Sequence, residues 1–165
     1  MMQQTDERPP FGGTPSIQTH SDHFLVCGLG SLGQHCVANL KKFGVRVSAI
    51  DRVPYTIWEI ESVPEVLDRM LVGDCRHPTV LDEIEVWKYR TILFLTSDDR
   101  INIEAAFEAR LRNPSARLVV RSGKRNLNAL LQTELGDFIA LEPKELTASA
   151  FALAAFTDRM PARFP

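Results

Sequence analysis

Residues 23–27, 46–50, 70–72, 91–95, 117–120 and 138–141 are short runs in which apolar side chains follow one another instead of alternating with polar ones. A strand of that kind is covered on both faces, as in a parallel sheet flanked by helices. Helical segments stand between the runs. One starts at Ser31, extends to about residue 43 and is stopped by Gly44. A short one begins with Pro78 at its first turn. Residues 99–112 form another, ended by Asn113-Pro114, and residues 126–135 a further one, closed by Gly136. A last helix is expected over about 145–156, "ELTASAFALAAF". Only residues 55–67, preceded by Pro54 and containing Pro64, fit neither pattern well; Trp58-Glu59-Ile60 there is either a short helix or a loop. Strand followed by helix, six times over, predicts an α/β fold: a Rossmann-like, doubly wound, parallel six-stranded sheet with helices on both faces. The last helix is apolar on most sides, and either a partner subunit or a downstream domain would cover it.

The chain has 165 residues, enough for one domain with a substantial core. A formal net charge of -2 gives no basic field to hold a nucleic-acid backbone. No apolar run reaches the 18 residues that suggest a membrane span, so no direct membrane insertion is expected, and a cytoplasmic location follows. Residues 1–22 are polar, rich in Pro, Gly, Gln and Thr and without periodicity, which reads as a flexible N-terminal tail. The expected organisation is therefore tail 1–22, nucleotide-binding domain 23–142, and final helix with C-terminal tail 143–165. Cys27, Cys36 and Cys75 are odd in number and not spaced C-x-x-C, and the four histidines are scattered. Reduced, mostly buried thiols and no metal site are expected.

The first strand runs into Gly28-Leu29-Gly30-Ser31-Leu32-Gly33, a G-x-G-x-x-G pattern that follows a strand and opens a helix, as a dinucleotide-binding loop requires. Gly28 allows the tight turn, Gly30 lets backbone approach a pyrophosphate, and Gly33 lets helix pack on strand. The helix N-terminus offers N–H groups to phosphate, and Ser31 adds a hydroxyl. Asp51 ends the second strand about 20 residues on, where a carboxylate takes ribose hydroxyls and repels a 2′-phosphate. That favours NAD, while neighbouring Arg52 keeps NADP from being excluded. Asp74, after Gly73, either accepts from an adenine amine or caps a helix, and the backbone of Cys75 would line the ring. Thr96 and Ser97 end the fourth strand, placed to bond ribose or phosphate. Asp98 and Asp99 either join them or cap the next helix. Arg121 ends the fifth strand and meets either phosphate or one of those aspartates.

Taken together, "VCGLGSLGQHCVANL", "VSAIDR", "LVGDCRHPTVLDEI", "TILFLTSDDRINIEAAFEARLRNPSARLVVRS" and "LGDFIALEP" resemble the RCK (regulator of K⁺ conductance) family, also described as the N-terminal domain of Trk-type potassium uptake regulators. The resemblance covers roughly residues 23–156. It implies a cytoplasmic regulatory module, not a catalyst, that assembles as a homodimer or a ring beneath a membrane potassium channel or transporter. It implies binding of NAD(H), ATP/ADP or AMP, with binding positions at Gly28, Gly30, Ser31, Leu32, Asp51, Arg52, Asp74, Cys75, Thr96 and Arg121. It also implies that the last helix is a crossover helix packing on a neighbouring subunit. The segment 54–67 is longer than the family pattern.

Two alternatives stand beside this one. An NAD-dependent oxidoreductase would need a substrate domain and an acid or base beside the nicotinamide. The chain contains neither a substrate domain nor a Tyr-x-x-x-Lys pair after the fourth strand, and His77 reads as a loop residue. A Rossmann scaffold that has lost its ligand would not need intact loop glycines and Asp51.

Overall fold

The computed structural model describes residues 22–54, 57–142 and 147–156. The expected tail, but for Asp22, lies outside them, as do the first residues expected in the last helix.

The strands are β1 (His23–Cys27), β2 (Arg46–Asp51), β3 (Arg69–Val72), β4 (Thr91–Phe94), β5 (Arg117–Arg121) and β6 (Phe138–Leu141). The helices are α1 (Ser31–Lys41), α2 (Val63–Val66), α3 (Pro78–Glu83), α4 (Asp99–Arg112), α5 (Arg125–Leu135) and α6 (Ala148–Ala154), with one 3₁₀ turn at Val86–Lys88. All six strands are parallel, in the order β3-β2-β1-β4-β5-β6. The expected fold class is the observed one. The ambiguous segment 57–67 is mostly loop and ends in α2, a helix of a single turn.

The sheet is covered on both sides, which is why its strands need no polar face. One core joins Leu25, Ile50, Ile92, Phe94, Leu118 and Val120 to α3, α4 and α5. The other joins Phe24, Val26, Val47, Leu93 and Val119 to α1, α2 and α6. Parallel strands need crossovers, and these put α1 and α2 on one face and α4 and α5 on the other. The chain leaves β1 towards β2 and returns from β3 to β4 on β1's other side. The carboxyl ends of β1 and β4 thus point at a crevice, where an open α/β sheet holds ligands.

The chain's own sheet and α1 cover α6. Phe151, Ala152 and Ala154 are fully buried, in a cluster with Phe24, Val37 and Leu40, and Ala155 is almost so. The apolar character of this helix therefore has an intrachain cause: it closes the α1 face of the sheet. Thr147 caps it, its hydroxyl accepting from the Ala150 N–H.

Candidate functional site

A cleft of about 850 Å³ opens at the β1/β4 crevice, within the range of small-molecule sites. Its walls come from the glycine loop, the ends of β2 and β4, the turn after β3, Arg121 and Ala148.

The glycine loop is built by close approach. Gly28 has φ +102°, and a Cβ there would lie 2.9 Å from the Thr96 nitrogen on the neighbouring strand's exit. A Cβ on Gly33 would collide with the Gly28 carbonyl oxygen, so only glycine lets α1 begin this close to the loop. Gly30 is different. A Cβ there would meet nothing within 4 Å, so the space is open to the cleft. The N–H groups of the first turn of α1 have no carbonyl partner within the helix, and the positive end of its dipole faces the same way. Ser31 and Leu32, the first two residues of α1, line the cleft. Gly33 does not line it; its place is in the packing beneath.

Asp51 lines the cleft and also supports the loop. Its Oδ2 accepts from the Leu29 N–H at 2.7 Å and its Oδ1 from the Val53 N–H at 3.1 Å. Two lone pairs remain for further donors. Arg52 lies beside it, exposed. Gly73 and Cys75 line the floor. Cys27, Cys36 and Cys75 are free and buried. Burial, then its neighbour Cys75, pushes the Cys27 thiol well up, and burial pushes Cys36 to about 12.

Asp74 does not line the cleft. Its carboxylate is held by Arg76, with Nε at 3.1 and 3.2 Å, the terminal Nη2 at 2.7 Å and the backbone N–H at 2.9 Å. The Arg76 guanidinium lowers its pKa to about 2. Asp98 caps α4, accepting from the N–H groups of Arg100 and Ile101. Asp99 accepts from the Gly123 N–H at 3.0 Å. Asp98 thus caps the helix and also lines the cleft, whereas Asp99 does neither and instead holds the loop after β5.

Thr96, Ser97 and Arg121 line the half of the cleft beyond β4, with Ala148. The Nε of Arg121 is buried without a hydrogen-bond partner. Among the described residues Arg121 pairs with neither Asp98 nor Asp99, and its side chain reaches the cleft without a carboxylate beside it.

Three polar residues matter here beyond those the sequence singled out. Fully buried Asn102 ties the ends of β4 and β5 together. Its Oδ1 accepts from the Thr96 N–H at 3.0 Å and hydroxyl at 2.6 Å, and its Nδ2 donates to the carbonyls of Thr96 and Arg121, both at 3.0 Å. Its signal lay in "TSDDRIN", within the stretch that carries the family resemblance. Gln34, 1% exposed, bonds the glycine loop to the segment 57–60. Glu59, on that segment, accepts from the Ser31 hydroxyl at 2.8 Å. Nothing in the local sequence marks Gln34 or Glu59, because their partners stand 22 or more residues away in the chain or, for Leu29, on the loop itself.

Among the described residues no group of three or more His, Cys, Asp or Glu side chains is arranged to hold a metal, and no helix is long and apolar enough to cross a membrane.

The model of the TrkA-N domain family matches residues 24–140. Potassium channel protein 1 of Methanocaldococcus jannaschii is 25% identical over 109 residues, which is 66% of this chain and 32% of that protein. The TrkA-N domain of inner membrane protein ybaL from Escherichia coli superposes with a TM-score of 0.64 at 16% identity, covering 76% of this chain and 90% of that one. GsuK bound to ADP superposes at 0.60 with 24% identity, over 82% of this chain and 33% of that one. The GsuK channel bound to NAD does so at 0.53 with 13% identity, over 71% and 21%. These structural likenesses establish a shared fold. The chain spans about a third or less of the length of the curated relatives it matches.

Proposed function

The chain belongs to the TrkA-N domain family, and from that membership we propose that it is a regulatory domain which binds an adenine nucleotide in the cleft and passes the ligand state to a membrane potassium channel or transporter. NAD(H) is the first candidate, with ATP, ADP and AMP beside it. The domain works at the cytoplasmic side of its partner.

The observation that carries this reading is the donor set converging on one cleft. The first turn of α1 offers its N–H groups over an open Gly30, and Arg121 brings a guanidinium to the lining of the same cleft. Those donors suit phosphate. Asp51 has lone pairs to spare for ribose hydroxyls, and the backbone at Gly73 and Cys75 offers a floor for a base. Asp74 is engaged by Arg76 and contributes through the turn it shapes. A relative that is a potassium channel protein, and a like-folded channel that carries ADP or NAD, agree with this use of the fold.

The half of the cleft beyond β4 is lined by Thr96, Ser97, Asp98, Ile101, Ala148 and Arg121. Its carboxylate, Asp98, is engaged as the N-cap of α4, and none of the other side chains is an imidazole, phenol or amine positioned to move a proton, which favours a sensor over an oxidoreductase. A nucleotide supplies a signal only through different affinity for two arrangements of the domain. The arrangement that changes is the one α4 and α5 make with a second copy. Phe107 and Leu111 stand one turn apart on α4 and are 42% and 76% exposed; Leu130 on α5 is 57% exposed.

Calorimetric titration with NAD⁺, NADH, ATP, ADP and AMP, with light scattering in parallel, tests the reading. Micromolar binding of one ligand with a change in assembly is the expected result. Absence of binding by all five would leave a scaffold without a ligand.

A further inference from the structure

Residues 57–60, which precede α2, lie over the first turn of α1. Gln34 holds them there. Its Nε2 donates to the carbonyls of Ile57 at 2.7 Å and Leu29 at 2.9 Å, and its Oε1 accepts from the N–H groups of Glu59 at 2.7 Å and Ile60 at 3.3 Å. Because Gln34 is buried, these bonds are shielded from competing water. The clamp presents the Glu59 carboxylate to the start of α1. Its Oε2 accepts from the Ser31 hydroxyl at 2.8 Å and lies 3.8 Å from His35 Nδ1. Ser31 and His35 both line the cleft. Among the described residues no lysine or arginine pairs with Glu59. The chain thus places an anion of its own at the helix end best suited to receive phosphate.

We propose that Glu59 sets the charge preference of the cleft, favouring the diphosphate diester of a dinucleotide over nucleoside di- and triphosphates. This rests on the nucleotide reading above and adds to it which class of nucleotide the site prefers. Every phosphate charge brought to the first turn of α1 meets the attraction of the helix dipole and the repulsion of Glu59 together. A diester carries one negative charge per phosphorus. ADP carries a further charge on its terminal phosphate, and ATP one more. The repulsion therefore grows along that series while the donors stay the same. A terminal phosphate that takes the Ser31 hydroxyl must also take it from Glu59, and leaves that carboxylate facing it. The Glu59 side chain is 48% exposed, so solvent weakens the repulsion without cancelling it.

Glu59→Gln tests this, since glutamine keeps the length of the side chain and an acceptor for Ser31. The protein and the variant are titrated with NAD⁺, ADP and ATP by calorimetry, with a chelator present and ionic strength fixed. In the variant the Kd for ADP should fall by about five-fold more than that for NAD⁺, and the Kd for ATP by more again. Added salt should shrink those differences. The same factor for all three ligands, or no change in any, would overturn the proposal. Weaker binding of all three would also overturn it, by making Glu59 a contact of the ligand. If the unsubstituted protein bound none of the three, the nucleotide reading would fall and this inference with it. Binding without the graded change would sink this inference alone.

Discussion

Asp51 accepts the Leu29 N–H at 2.7 Å and the Val53 N–H at 3.1 Å, so alanine there would remove a support of the glycine loop together with any ribose contact. Asparagine keeps one acceptor. Asp51→Asn should weaken a ribose-bearing ligand by about ten-fold or more, about 1.4 kcal/mol, with little change in melting temperature. Asp51→Ala should in addition lose about 1–3 kcal/mol of stability by orphaning the Leu29 N–H. Titration and thermal melts of the two variants separate the roles. Gly30 and Gly33 make a similar contrast. A Cβ at Gly30 meets nothing within 4 Å, so Gly30→Val should cost less than about 1 kcal/mol of stability yet block phosphate. Gly33→Ala should cost about 2–3 kcal/mol, because its methyl collides with the Gly28 carbonyl. Asp74 shows how pH enters. Its pKa is lowered to about 2 by Arg76, below the unfolded value near 3.8. Its contribution is therefore complete above the unfolded pKa and disappears as pH falls through about 2. Asp74 is largely buried and Arg76 about a third exposed, so screening discounts the pair. Asp74→Asn should cost about 1–2 kcal/mol at pH 7, with the two proteins converging near pH 2 in denaturant unfolding.

At the scale of elements, the loops are fixed by buried side-chain amides. Gln34 ties the glycine loop to the segment 57–60, and Asn102 ties the end of β4 to the end of β5. Such pairings join residues distant in the chain, and no local pattern announces them. The helices were more legible. Asp98 as N-cap and Asn113-Pro114 as terminator place α4 at Asp99–Arg112, as expected. α6 was legible as a helix but not as to what covers it. Its Phe151 is fully buried between α1 and the sheet. Phe151→Ala should lower stability by about 3–5 kcal/mol and, because Ala148 at the start of α6 lines the cleft, should loosen the site as well. Chemical denaturation measures the first effect and nucleotide affinity the second. A loss of that size in the isolated domain marks α6 as part of this core whether or not a second copy is present.

The whole molecule presents two kinds of surface. The carboxyl edge of the sheet carries the cleft. The outer faces of α4 and α5 carry exposed apolar side chains, with Leu111 76% exposed. A charge placed there should separate copies with little effect on the fold, since Leu111 is mostly exposed. Leu111→Glu should shift light scattering towards the monomer and leave the melting temperature of the domain nearly unchanged. An unaltered mass would move the self-association surface elsewhere.

Periodicity and punctuation in the sequence determined the six strands, most of the helix ends and the side of the sheet on which the cleft opens. The reason is local: runs of apolar side chains, a glycine that alone can adopt φ +102°, and caps act through neighbours in the chain. Position along that edge also made Asp51, Thr96 and Arg121 candidates. What each polar group does there was decided by tertiary structure. A carboxylate or a guanidinium is defined by the partner that reaches it first. Asp74 met Arg76, Asp98 met the start of α4, Glu59 met Ser31, and the Arg121 Nε met no partner. For Glu59 that meeting depends on how residues 57–60 lie over the first turn of α1, a distance in space that spacing along the sequence does not encode.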